Sequence, residues 1–187
     1  MHNLIEKGSF VARDELWFYR KVRESDLKDF HPYLKKFYKE HGYQNPPTYK
    51  RLEENYNTGL YNNSHVIFDS DGTLNACSII HNISTPTYDN TNGYVSKCWG
   101  SELYLEGKRS TVAPTFTLSM WFNIYGGTHC FFEASLPFVY GKFIEYGFEP
   151  IKVKEDKDDW VVIYDRIINP DKLYKFGKVR ENRFEYC

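Results

Sequence analysis

Cysteine and methionine are scarce in this chain, with four Cys and two Met among 187 residues. Cys77, Cys98, Cys130 and Cys187 stand far apart, and none forms a CxxC pair. That spacing excludes a disulfide framework or a zinc ribbon and suits a reduced, cytoplasmic protein, in a host cytoplasm if the source is viral. Cys187 is the last residue, so it has no prenylation context. Net charge is nearly absent too, at −1, which argues against duplex nucleic acid or an anionic membrane as a partner. No apolar run is long enough to span a bilayer, and the opening MHNLIEKGSF lacks the character of a signal peptide. Repeats and low-complexity tracts are missing as well. The expectation is one domain over residues 1–187, with a core over about 16–168 and a C-terminal tail, 169–187, packed on the body.

What the chain has in quantity is aromatic rings, 18% of its residues, with 16 Tyr and 14 Phe. Such a composition favours a core built from rings over one built from aliphatic side chains. A first strand is expected at Leu16 to Val22. Ser25 is placed to cap a helix carrying Leu27, Phe30, Leu34, Phe37 and Tyr38 at helical spacing, with Pro32 kinking or splitting it. Asn45-Pro46-Pro47 breaks the chain. Thr48 then caps a second helix whose Tyr49, Leu52, Tyr56 and Leu60 share a face. Two strands, His65 to Asp69 and Leu74 to Ile80, flank Ser70-Asp71-Gly72-Thr73, a hairpin signal. Residues 82–93 read as a polar loop, and Trp160 to Ile168 as a late strand.

The stretch from Trp99 to Ile151 carries the most information. WGSELYLE reads as a strand ending in Gly107-Lys108-Arg109-Ser110-Thr111, a donor-rich loop ahead of a helix. Pro114 fits the first turn of that helix, Leu118, Trp121, Ile124 and Tyr125 recur at its period, and Gly126-Gly127 ends it. A basic loop feeding a helix N-terminus favours an anion, because free N–H groups and the helix dipole both point at it. A strand at His129 to Ala134 follows. A further helix then closes on FIEYGFEPI, Phe143 to Ile151, stopping at Gly-Phe before another strand.

In this order of elements, and in the Gly-Phe ending, the chain resembles the GCN5-related N-acetyltransferase (GNAT) superfamily over roughly residues 16–168. The resemblance implies an α/β (α+β) fold, a mixed and mostly antiparallel sheet with helices on both faces. Its central strands, Trp99 to Glu106 and His129 to Ala134, would run parallel and splay apart. It also implies acetyl-CoA, or another acyl-CoA, as co-substrate and a small-molecule or peptide amine as acceptor, with a homodimer as a possible assembly. Leu105, Gly107, Lys108, Arg109, Ser110 and Thr111 would then hold the cofactor. Glu102 or Glu106, four apart on one strand face, or Glu133 on the next strand, would deprotonate the amine. The family's pyrophosphate loop carries Gly where this chain has Lys108 and Arg109. Leu136 and Phe143 occupy the places of its usual Asn and of the Tyr that protonates the leaving thiolate. Tyr140, one turn earlier, is the remaining candidate for that acid.

Two other readings stay open. One is a non-acetyl protein on the same fold, either a nucleobase-modifying protein of a kind some bacteriophages carry or a binding module without catalysis. The other starts from VIFDSDGTL, Val66 to Leu74, which resembles the opening motif of haloacid dehalogenase-type phosphatases. There Asp69 would be the nucleophile and Asp71 the acid/base, with magnesium between carboxylates and phosphate. That motif normally follows the first strand of a parallel sheet and precedes a helix, whereas here a strand-like LNACSII comes next. His65, His81 and His129 show no metal-ligand spacing.

Overall fold

The computed structural model describes residues 2–40, 44–83, 93–100, 112–125, 130–134, 148–156, 159–167 and 170–179. A short helix α1 (His2–Glu6) leads into strands β1 (Lys7–Ala12) and β2 (Glu15–Lys21). Helices α2 (Leu27–Glu40) and α3 (Tyr49–Asn57) follow, then β3 (His65–Phe68), β4 (Leu74–Ile83) and β5 (Gly93–Gly100). The helix α4 (Val112–Ser119) precedes β6 (Cys130–Ala134), β7 (Phe148–Asp156), β8 (Asp159–Ile167) and the two-residue β9 (Phe176–Gly177).

These strands form one nine-stranded sheet in the order β7-β8-β6-β5-β4-β3-β2-β1-β9. Every described pairing is antiparallel except that of β5 with β6, which is parallel and pairs Val95 with Phe131 and Ser96 with Phe132. The sheet is therefore mixed and mostly antiparallel, as expected, but larger than the six or seven strands typical of such a domain. The additional pairing comes from β1 and β9, which lie outside the expected 16–168 core. The turn joining β1 to β2 is Arg13-Asp14, both at positive φ (53° and 61°), between the paired Ala12 and Glu15. This is a two-residue hairpin made without the Asn-Gly or Asp-Gly pair that normally announces one. Sequence reading accordingly passed over β1.

Alternation along the central strands sends side chains to two cores. Trp17, Tyr19, Ile67, Ala76 and Ile80 pack with α4, whereas Phe18, Val22, Val66, Phe68 and Cys77 pack with Leu27, Phe30 and Leu34 of α2 and Leu52 of α3. Period-2 strands between helices of period 3.6 produce this two-sided burial directly. Helices thus cover both faces.

Local expectations are met in part. Thr48 caps α3, its hydroxyl accepting from Arg51 N at 3.2 Å. Leu60 lies past the end of α3 and is 37% exposed, so it does not share the helix face; Tyr61 is the buried residue instead. Pro32 sits inside α2, which continues through it to Glu40. It removes one i→i−4 hydrogen bond without ending the helix. Ser25 does not cap α2: it lies inside a 3-10 turn, Glu24–Asp26, that leads into the helix with Arg23 as its N-cap, and the Asp26 carboxylate reaches back to accept from Arg23 N at 2.7 Å. The expected polar loop at 82–93 is shortened at both ends, by Ile83 of β4 and Gly93 of β5. β5 begins six residues before Trp99, and the expected strand positions 101–106 lie outside the described residues.

Candidate active site

The one parallel junction among the described strands is the feature that organises a site. β5 is held along its length by β4, from Gly93 opposite Ile83 to Gly100 opposite Ala76, whereas among the described residues it pairs with β6 at two positions. β6 continues to Ala134 against β8. The chain leaving the C-terminal end of β5 at Gly100 re-enters the described structure as α4 at Val112. Residues 101–111, which include the donor-rich stretch Gly107–Thr111, fall between these two elements in the sequence and outside the described residues.

Hydroxyl groups fix α4 on the sheet. Thr117 Oγ1 donates to Ala113 O (2.9 Å), which leaves it to accept from Ser78 Oγ of β4 at 2.6 Å; both residues are buried. Ser119 Oγ donates to Thr115 O at 2.6 Å and accepts from Tyr174 N at 2.8 Å, tying the C-terminal segment to the helix. At Met120–Ile124 the helix widens into a π-turn closed by Tyr125 N donating to Met120 O. Widened turns of this kind commonly occur where a helix must re-aim its side chains.

Of the residues singled out in the sequence, Glu102, Leu105, Glu106, Gly107, Lys108, Arg109, Ser110, Thr111 and Tyr140 lie outside the described residues, as do Leu136 and Phe143. Glu133 is on β6, opposite Val161 of β8. Asp69, Asp71 and Gly72 form the β3–β4 hairpin. Gly72 N donates to Asp69 O, Asp69 N to Thr73 O, and Gly72 has φ +81°. That is a hydrogen-bonded four-residue turn closed by a left-handed glycine. The Asp69 carboxylate accepts from Asp71 N (3.0 Å) and Thr73 N (2.9 Å) through the same oxygen. Its role here is to hold a turn between antiparallel strands. Among the described residues no group of His, Cys, Asp or Glu side chains is arranged to hold a metal ion.

Sequence reading missed a buried polar cluster on the α4 face. His65 is fully buried, and its Nε2 lies 2.6 Å from Ile5 O. Burial in this aromatic setting, helped by Lys21, pulls its pKa down to about 4 against the Ile5 carbonyl, Glu6 and the Asn63 backbone, which favour the charged ring. Tyr19, also fully buried, donates its hydroxyl to Leu4 O at 2.8 Å; burial, then the neighbouring Tyr125, raises its pKa. On the other face Tyr61 is raised by burial, although Asn55 donates to its oxygen at 3.3 Å. No sequence signal marks these groups, because their partners are 15 and 60 residues away.

The sheet order, with a single parallel junction inside an antiparallel frame and helices on both faces, defines an α/β class shared with acetyltransferases. Solved structures identify it more narrowly as the GNAT fold. A chimera of spermidine N-acetyltransferase SpeG from Vibrio cholerae and hSSAT superimposes with a TM-score of 0.63 at 16% identity, covering 83% of this chain and 96% of that one. FdhC in its apo form, a nucleotide-linked sugar GNAT, gives 0.60 at 15% identity over 86% of this chain and 89% of that one. A GNAT-family acetyltransferase from Listeria monocytogenes gives 0.57 at 12% identity, over 84% and 99%. No protein-family model matches the sequence, and no curated protein matches it. No described helix is long and apolar enough to cross a membrane.

Proposed function

We propose that the chain is an acyl-CoA-dependent N-acyltransferase that moves an acetyl group to the amine of a small molecule. The observation carrying this reading is the parallel β5–β6 junction, paired at two positions among the described residues, with the basic stretch Gly107–Thr111 falling between β5 and α4 in the sequence. Strands that part beyond such a short pairing leave room for an acyl chain between them, and the loop brings phosphate donors to a helix N-terminus. Likeness to a spermidine N-acetyltransferase and to a nucleotide-linked sugar GNAT favours a small amine acceptor.

In this mechanism Glu102 or Glu106, with Glu133 as a further candidate, takes a proton from the acceptor ammonium, directly or through water. The amine nitrogen attacks the thioester carbonyl carbon, backbone N–H groups of the central strand stabilise the oxyanion, and the C–S bond breaks. Tyr140 returns a proton to the departing thiolate, because Phe143 lacks a hydroxyl. Lys108, Arg109, Ser110 and Thr111, with the backbone around Leu105 and Gly107, bind the pyrophosphate and pantetheine portions of acetyl-CoA.

A second reading, a non-acetyl protein on this fold, draws on Leu136 and Phe143 standing where the family keeps an Asn and a Tyr. Calorimetry with acetyl-CoA and coenzyme A separates the two readings. Micromolar binding that weakens about tenfold or more in Arg109→Ala, the loss expected for one charge-assisted contact, supports the transferase. An absence of binding to either compound, together with no acetylation of a panel of polyamines and amino sugars, favours the non-acetyl protein.

A further inference from the structure

The polar cluster around His65 plays no part in that chemistry, yet it is built with some care. Helix α1 has only five residues, so most of its carbonyls lack intrahelical partners. Two of them are met by side chains from distant strands: Leu4 O by the Tyr19 hydroxyl and Ile5 O by His65 Nε2. A third link, the Lys21–Glu6 ion pair at 2.9 Å, lies nearer the surface. Gly8 lets Tyr19 pass, since a methyl there would come within 2.6 Å of the Tyr19 Cζ.

His65 meets Ile5 O only as a donor, so the neutral ring carries its proton on Nε2. Nδ1 is buried without a well-formed hydrogen bond, and the ring is walled by Tyr19, Phe116 and Tyr125 at centroid distances of 5.6, 5.9 and 6.4 Å. A second proton would therefore place a charge on Nδ1 inside a ring-lined core. Among the described residues the charged or titratable groups acting on His65 are Lys21 of β2, which disfavours that charge, and Glu6 of α1, which favours it; the Tyr19 and Tyr125 rings face it. Burial outweighs the Ile5 carbonyl and Glu6, both of which favour the charge, so lifting α1 to hydrate an imidazolium gives up those two contacts and the Tyr19 bond rather than the whole core.

We propose that α1 is an acid-released strap, fastened to the sheet by neutral His65 and Tyr19 and let go when His65 is protonated. The strap opens locally while the sheet and both cores stay folded. With the closed-state value of about 4 and the ordinary 6.5 once hydrated, the opening constant rises roughly twentyfold between pH 7 and pH 5.

Hydrogen–deuterium exchange of the full chain, corrected for intrinsic rates, reads this directly. Peptides covering residues 2–10 are expected to open roughly twentyfold more at pH 5 than at pH 7, while peptides from α4 and β3 keep their protection. His65→Gln, which keeps a donor for Ile5 O but does not titrate, is expected to flatten the response. Glu6→Gln, an exposed change that leaves folding intact, is expected to retain it. The proposal fails if the 2–10 peptides show no rise, if α4 and β3 lose protection in step with them, or if Glu6→Gln removes the response. It fails equally if a folded His65→Gln responds as the wild type does.

Discussion

The two faces of the sheet solve the problem of buried polarity in opposite ways. Beneath α2 and α3, an ionised pair is taken inside. Arg20 grips Asp26 with two nitrogens at 2.7 and 2.8 Å, donates also to Lys21 O, and lies 5.2 Å from the Phe68 ring centroid. Beneath α4 and α1, neutral groups meet one another: Trp17 with Ala12 O, Ser78 with Thr117, Ser119 with Tyr174, Tyr19 and His65 with the carbonyls of α1. A charge pair survives burial only when its geometry is nearly complete, whereas hydroxyls and a neutral imidazole need one partner each. Removing a single partner should therefore be more damaging on the first face, and pH should act on the second.

The largest effect is expected from Asp26→Ala, which strands the Arg20 guanidinium in the core and frees the Arg23 amide. A loss of about 3–5 kcal/mol in urea unfolding is expected, and a loss below about 1 kcal/mol would erase the contrast between faces. Next in size is the pH response of the α4 face. The folded pKa of His65 lies below its unfolded value, so its neutral burial contributes full stability above pH 6.5 and loses it as pH falls from 6.5 towards 4. The loss is of order 3 kcal/mol at most, read as a falling urea midpoint that His65→Gln should largely abolish. Ser78→Ala should cost about 1–2 kcal/mol, because Thr117 keeps its bond to Ala113 O and loses only the donor from β4. The smallest change is Thr48→Ala, outside both cores, at about 0.5–1 kcal/mol for the lost cap of α3.

Features set within a few residues were legible in the sequence. Thr48 announces α3 because its hydroxyl meets an amide three residues on, and Asp69 to Thr73 announces a hairpin because Gly72 alone tolerates the positive φ that closes it. Ser25 was the natural cap by residue type, but the helical segment starts earlier, at the N-cap Arg23, whose amide is met by the Asp26 carboxylate that Arg20 of β2 holds in place. Leu60 fitted the helical period of α3 and fell outside it because the helix closes at Asn57. β1 went unseen for want of a glycine in its turn. For the proposed acyl site, strand, basic loop and helix in that order was an expectation, and the described structure gives only its flanks, Gly100 of β5 and Val112 of α4.

The sequence by itself determined the alternation that makes each central strand two-sided, the ring-rich content of the core, and the short-range caps and turns. These depend on backbone period and on contacts between near neighbours, which a single strand of text contains. Only the tertiary structure decided where along their length β5 and β6 pair, that β1 and β9 extend the sheet past the expected core, and that α1 is held by Tyr19 and His65. Apart from the local β1–β2 hairpin, each of those joins groups 15 or more residues apart, and their pairing is selected by what the assembled sheet leaves unsatisfied: an open edge, an orphan carbonyl, a buried ring nitrogen.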